Sequence, residues 1–263
     1  MKKWLGAFLA VSTAAINWYV YYRIMLYFKI PDPAFFSTAF MIAIIFHELG
    51  HFTAFKAYGI RSHILFLVIG AVTVSSKKDR GKVEALNPES LMVTFLAGVL
   101  GNVALMMLSV PFFWLHIIHY NQFIFTTYLN AFLIVINLAP LPLLPFLTLD
   151  GDGFMRSFFS GIRKSKILPY AFIVLLAFLA LTTALRLALG PAANLTSLGF
   201  FCTALIGIPI RVFLRLKAYK RYPEWYLEAH LTEPRSRKKW IAFYLFLVFI
   251  SLVSVALTIN RVS

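Results

Sequence analysis

The feature that most constrains the fold is an apolar run, residues 34–58, with two histidines and a glutamate in its middle. The run is long enough for a membrane-spanning helix, which needs about 20 residues. A helix advances about 100° per residue, so His47 and His51 lie on one face, one turn apart. A charged group at the centre of a membrane helix costs roughly 2.5 to 3.5 kcal/mol even on a lenient scale, so an ionisable trio there indicates a function.

The spacing of the two histidines is typical of a metal site. Two neutral imidazoles one turn apart form half of a zinc site, and Glu48 is placed to activate a water molecule beside them. His47 lies about 18 Å along the helix axis from residue 35 and about 16 Å from residue 58, which is deep within a bilayer. The alternative, a chance HExxH pattern, leaves the cost of burying three ionisable groups unexplained.

Composition defines the class of protein. The chain has 263 residues, 60% hydrophobic and 17% aromatic, which indicates a polytopic membrane protein. The single cysteine, Cys202, excludes an intrachain disulfide and a cysteine-type structural zinc site. The net charge of +15 does not predict nucleic acid as a partner, because the basic residues lie in short loops between apolar runs.

We predict an all-α fold with six to seven transmembrane helices, in three regions: 1–33, 34–160 and 161–263. The first region holds one uncleaved span. It is longer than the apolar core of a secretory signal, because the run continues to Phe28. The third region holds the C-terminal transmembrane helices and a basic loop, 215–239, expected to lie on anionic headgroups. The candidate spans are 4–28, 34–58, 91–118, a fourth from about 123, 167–189, 198–214 and 240–259.

The distribution of basic residues predicts the orientation. With seven spans and a cytoplasmic N-terminus, all but four of the 25 lysines and arginines fall on the cytoplasmic side. The four exceptions are Arg23, Lys29, Arg186 and Arg261. The ends of the second and fourth spans then share the cytoplasmic side, where we expect the site to open to water.

The segment 64–74 is too short to span a membrane as a helix and is rich in β-branched residues around Gly70. It is predicted to form a hairpin or re-entrant strand packed against protein, because unpaired backbone cannot face lipid. A short buried helix is the alternative. As a strand it would offer outward-pairing positions, for which Val72 and Val74 are the candidates.

A catalytic zinc ion has three protein ligands and one open position. Glu48 lies mid-span, and Asp150 and Asp152 lie at the end of the fourth apolar segment. By elimination Asp150 is the preferred third ligand, with Asp152 as the alternative. The remaining histidines lie in loops or at the opposite membrane face: His63, His116, His119 and His230.

Residues 34–160 together resemble the site-2 protease family of intramembrane zinc metalloproteases. The resemblance rests on HELGH within a transmembrane helix, a GxxxN-type stretch ending at Asn102, and an Asn…Pro…Asp-Gly pattern from Asn137 to Asp150. It implies a zinc metalloprotease core of three helices and a membrane-level β element.

The resemblance also implies roles for particular residues. His47, His51 and Asp150 would bind one zinc ion per chain, and Glu48 would be the general base. Asn102 and Asn137 would line the site. The segment with Gly70 and Val72 would correspond to the β element that pairs with an extended substrate.

The implied partners are the lipid bilayer and a single-span or other membrane protein as substrate. A substrate helix must unwind locally, because its carbonyls are engaged in intrahelical hydrogen bonds. Two other functions use the same residues: a metal-handling transporter and an inactive scaffold of the family. A transporter would need polar groups along a path to both faces, and the outer halves of the spans nearly lack them.

Overall fold

The computed structural model describes residues 2–67, 70–140, 149–160, 162, 164–189, 194–221 and 236–262. The described chain is mostly helical and divides into two compact units. The first unit holds Met1–Ala85 and Ala97–Asn130, and the second holds Leu86–Leu96 and Ala131–Ser263.

The helices of the described residues, in chain order, are α1 (Lys2–Tyr27), α2 (Pro33–Ala57), α3 (Arg80–Glu84), α4 (Pro88–Trp114), α5 (Tyr120–Leu138), α6 (Asp150–Phe158), α7 (Lys164–Leu189), α8 (Asn194–Arg221) and α9 (Arg237–Val262). Two strands, β1 (Ser62–Phe66) and β2 (Ala71–Ser75), follow α2. A 3-10 turn, Lys77–Asp79, leads into α3.

Six described helices are long and apolar enough to cross a membrane: Pro33–Ala57, Pro88–Trp114, Tyr120–Leu138, Ser165–Ala184, Leu198–Lys217 and Arg237–Val255. These helices are typical of a multi-pass membrane protein. Helix α1 is as long as these helices, but its described residues are not among those long and apolar enough to cross a membrane. The first span therefore stays a prediction. The orientation of the spans also stays a prediction.

Helix α2 begins and ends as its sequence indicates. Pro33 occupies the first turn, where its missing N–H costs no hydrogen bond, and the Asp32 carboxylate accepts from the Phe35 amide at 3.3 Å. After Ala57 the chain turns at Gly59, whose φ of +67° suits a residue without a Cβ. The helix therefore runs through the whole apolar stretch without a break and holds the HELGH residues in one regular geometry.

The hairpin predicted for residues 64–74 is confirmed: β1 and β2 pair antiparallel, with Ser62 opposite Ser75 and Phe66 opposite Ala71. Val68 and Ile69 lie outside the described residues. Side chains of α1 satisfy the backbone of the turn. The Asn17 amide donates to the carbonyls of Leu67 and Gly70, each at 2.7 Å, and the Gly70 amide donates to the Tyr21 hydroxyl at 2.8 Å.

The register corrects the expected outward-pairing positions. Hydrogen bonds join Leu67 N to Gly70 O and Ser76 N to Arg61 O, at the two ends of the hairpin. Hydrogen-bonded pairs alternate along an antiparallel ladder, so the amides of Val72 and Val74 point towards β1. The outward amides of β2 belong instead to the alternate residues, Ala71, Thr73 and Ser75.

An ion-pair cluster lies at the open end of the hairpin, where Asp79 contacts Arg61 and Lys82. The buried Asp79 carboxylate accepts from the Arg61 amide at 3.1 Å and from its guanidinium Nε at 2.7 Å, and Lys82 Nζ lies 3.3 Å away. These groups, the Arg61 guanidinium above all, hold the pKa of Asp79 well below its usual range. The cluster therefore fixes the connection between β2 and α3 while Asp79 is ionised.

Within the second unit, α6 packs into an aromatic core. The rings of Phe154 and Tyr244 stack with centroids 4.6 Å apart, and both side chains are fully buried. The Tyr244 hydroxyl donates to the carbonyl of Leu138, the last residue of α5. At Gly151 a Cβ would collide with that same carbonyl, so glycine allows the start of α6 to approach the end of α5. Pro142 and Pro145, which lie between α5 and α6 in the sequence, are outside the described residues.

Candidate metal centre

Helix α2 presents two imidazoles to one point. The Nε2 atoms of His47 and His51 lie 3.2 Å apart, and the ring centroids are 4.9 Å apart with the planes at 79°. Two nitrogen ligands on one tetrahedral zinc ion, each about 2.0–2.1 Å from it, would be separated by about 3.3 Å. His47 is only 8% exposed. The separation of the two nitrogens therefore fits shared ligation of one ion.

Asn102 of α4 fixes the tautomer of His47. Its amide group donates to the Ala43 carbonyl at 3.0 Å and to the Asn130 side-chain oxygen at 2.9 Å. Its own oxygen, Oδ1, lies 2.8 Å from His47 Nδ1 and can only accept there. Nδ1 of His47 therefore carries the proton, and Nε2 keeps the lone pair that a metal ion needs.

Asn130 of α5 extends this network and was missed in the sequence analysis. It is fully buried, accepts from Asn102 and donates to the Thr126 carbonyl at 2.8 Å. The available signal was a second amide, besides that of Asn137, within the apolar run from 123, of the kind that needs a buried partner. Asn130, rather than Asn137, is the residue of α5 that contacts the histidine network through a described hydrogen bond.

Glycines bring α2 and α4 close together at the histidines. A Cβ on Gly98 would lie 2.7 Å from His47 Nε2 and would also overlap the imidazole of His51. Cβ atoms on Gly50 and Gly101 would collide with the facing carbonyls of Ala97 and Phe46. The GxxxN-type stretch thus combines one glycine that makes room at the two imidazoles with the asparagine that orients one of them.

Glu48 lies beside the histidine pair and is held by the hairpin. Its side chain is only 6% exposed, and the Thr73 hydroxyl lies 2.7 Å from Oε2 and 3.1 Å from the Glu48 carbonyl. Both contacts run from β2 to α2. Thr73 lies within the segment predicted as a strand, but no pattern in the sequence indicated this contact.

The remaining candidate ligands belong to the second unit. Asp150 is the first residue of α6 and is 8% exposed. Among the described residues, His47, His51 and Asp150 are a group of buried side chains that could hold a metal ion.

Asp152, the alternative third ligand, has a different environment. Its carboxylate is fully buried and accepts two hydrogen bonds from the guanidinium of Arg211 in α8. Both of its oxygens are therefore engaged by an ion pair within the second unit. The ion pair gives Asp152 a structural partner, and the role of Asp150 as the third ligand stays a prediction.

Other predicted site residues contact neither the histidines nor Glu48 by a described hydrogen bond. Asn137 donates to the Leu133 carbonyl of its own helix at 3.0 Å. Gly70 lies in the hairpin turn at a φ of +88°, and Val72 pairs with Leu65. Their roles in lining a substrate path stay predictions. Of the other histidines, His230 lies outside the described residues.

Comparison with models of known protein families and with curated protein sequences finds no match to this chain.

Proposed function

We propose that the chain is an intramembrane zinc metalloendopeptidase of the site-2 protease type. It would hydrolyse peptide bonds in or near transmembrane segments of other membrane proteins. The observation that carries the proposal is the buried pair of imidazoles whose Nε2 atoms converge at 3.2 Å, with the carboxylate of Glu48 on the next residue. A structural role for these groups would not need one histidine tautomer to be fixed, as Asn102 fixes that of His47.

The residues that would hold one zinc ion are His47, His51 and Asp150. Neutral imidazole nitrogens and a carboxylate are ordinary zinc ligands, and three of them leave a fourth position open. The absence of a side chain at Gly98 keeps the space at the two Nε2 atoms clear. Bound there, zinc would act as a Lewis acid and lower the pKa of a water molecule towards about 7.

Glu48 would carry the proton. As general base it accepts a proton from the attacking water, and as general acid it donates that proton to the leaving amine. The Thr73 hydroxyl, which donates to Oε2 of Glu48, holds the carboxylate in one orientation for both steps. The surroundings are apolar, so this hydrogen bond replaces one that water would otherwise make.

The substrate would be an extended stretch of a transmembrane segment. Strand β2 has outward amides at Ala71, Thr73 and Ser75, and Thr73 contacts Glu48. A peptide that pairs with this edge would gain main-chain hydrogen bonds that depend little on its sequence. Such pairing would also compensate the hydrogen bonds lost when a substrate helix unwinds next to Glu48.

The deciding experiment compares the wild type with Glu48→Gln, each co-expressed with a panel of tagged single-span membrane proteins. We expect truncated products only with the wild type, and equal zinc content in both purified proteins. Equal products with both would refute the proposed base. If both proteins instead take up zinc when reconstituted into proteoliposomes, a transporter would be favoured.

A further inference from the structure

A second polar site lies within the second unit, at the end of α6. It is a cavity of about 380 Å³. Its lining includes Arg156 and Ser157 of α6 and Ser160, which follows that helix. From α8 the lining includes Arg211, Leu214 and Arg215. Arg211 and Arg215 lie one turn apart on α8 and so share a face. Three guanidinium groups and two serines therefore line one small cavity.

The described lining of the cavity combines three guanidinium groups with no acidic residue. Behind it, Asp152 balances one arginine, Arg211, through the buried ion pair. Arg156 lies over the ring of Phe95, 5.9 Å from its centroid, a contact that orients the guanidinium without neutralising it. Glu89, next to the lining residue Pro88, accepts from the Ser236 amide at 3.1 Å and is not part of the lining.

The cavity lies at the ends of candidate membrane spans. The apolar stretch of α8 ends at Lys217, two residues after Arg215. The apolar stretch of α4 begins at Pro88, which also lines the cavity. The ends of spans lie at the depth of lipid headgroups, where basic pockets between helices bind acidic lipid groups. Arginine suits this role because its planar group donates two parallel hydrogen bonds to phosphate.

We propose that this cavity binds a phosphate-bearing anion through the guanidinium groups of Arg156, Arg211 and Arg215. Two sources share the required chemistry, the headgroup of an anionic phospholipid and free phosphate. The Arg211 side chain is 14% exposed, so it can face a ligand on one side while Asp152 engages it on the other. The proposal does not depend on the protease function.

The first test uses the wild-type protein alone. It is reconstituted into nanodiscs that contain equal amounts of phosphatidylglycerol and phosphatidylcholine, extracted in mild detergent, and examined by native mass spectrometry for retained lipid. A parallel arm measures binding of inorganic phosphate in detergent by isothermal titration calorimetry. Preferential retention of phosphatidylglycerol indicates the lipid as the source, and saturable phosphate binding without lipid preference indicates the free anion. If the protein shows neither lipid preference nor saturable phosphate binding, the proposal is overturned.

The second test compares Arg156→Gln/Arg215→Gln with Lys238→Gln/Lys239→Gln. The two double variants remove the same charge, but the lysines are exposed and lie outside the cavity lining. Removing both arginines should weaken binding about 30-fold, or about fivefold for each. The lysine variant should bind within about twofold of wild type. Equal losses in the two variants would show a diffuse surface charge effect and overturn the site.

Discussion

The Nδ1 atom of His47 lies 2.8 Å from the Oδ1 atom of Asn102, and both residues are buried. Asn102 can only accept in this contact, because its amide hydrogens are donated to Ala43 and Asn130. One asparagine on α4 thereby determines which nitrogen of a histidine on α2 is available to a ligand. The pair between the two helices thus orients an imidazole that the proposed metal site would use.

Replacing Asn102 by alanine should weaken metal binding without removing a ligand. Partners that orient a ligating histidine typically contribute 10- to 100-fold in metal affinity, so we expect the zinc affinity of Asn102→Ala to fall by that factor. Competition with a fluorescent chelator measures it. The matched control is Asn121→Ala, an exposed asparagine in the first turn of α5. If both variants bind zinc as tightly as the wild type, Asn102 does not orient a ligand.

Substitutions at the two aspartates of α6 should have different effects. Asp150→Asn is expected to lower zinc content and cleavage by orders of magnitude. Asp152→Asn should keep its zinc but melt at lower temperature, because Arg211 would be left buried without its partner, at about 3–5 kcal/mol. Thermal melting with metal analysis of the folded fraction separates the two effects. The double variant Asp152→Asn/Arg211→Gln should regain stability, and zinc loss confined to Asp152→Asn would reverse the assignment.

Proline on the outward edge of β2 should slow cleavage without loss of zinc. In Ser75→Pro the outward amide hydrogen is lost, whereas Ser75→Ala keeps it and changes only the side chain. We expect cleavage to slow at least tenfold in the proline variant and less than twofold in the alanine variant. Rates on one membrane substrate measure both. Similar rates in the two variants would mean that main-chain pairing at this edge is not used.

The ion pair of Asp79 predicts an acid dependence of stability. Because the folded-state pKa of Asp79 is lowered, mainly by Arg61, the pair stabilises the fold above the unfolded pKa of about 3.9. This contribution is lost as the pH falls from that value through the lower folded pKa. Asp79→Asn should therefore lower the melting temperature at pH 7, and the difference from wild type should shrink below about pH 4. Glu84→Gln, at an exposed carboxylate, is the control and should change little at either pH.

A methyl group at Gly98 should exclude metal. The Cβ of Gly98→Ala would overlap the imidazoles of His47 and His51, so the two Nε2 atoms could no longer converge. We expect purified Gly98→Ala to be folded and to contain little zinc, as judged by melting and by elemental analysis. Gly81→Ala, where a Cβ meets no atom within 4 Å, should bind zinc normally. Full zinc occupancy in Gly98→Ala would place the ion elsewhere.

Local pattern was enough to predict the parts of this molecule that depend on sequence spacing. The four-residue interval of His47 and His51 placed them on one face, and the short β-branched segment before Ser75 predicted the hairpin. Contacts between distant segments were not predictable in this way. Nothing in the residues around Thr73 or Asn130 indicates that one meets Glu48 and the other meets Asn102, because those partners lie 25 and 28 residues away.

The hydrogen bonds at the hairpin turn have a consequence for how a peptide could reach Glu48. Asn17 and Tyr21 make three bonds to the backbone of Leu67 and Gly70. Swinging the hairpin away from α1 would break all three in apolar surroundings, at about 1–3 kcal/mol for each group left unsatisfied. We therefore expect the hairpin to keep its position against α1 rather than to open. For the proposed protease, we therefore expect a peptide to reach Glu48 through movement of some other element.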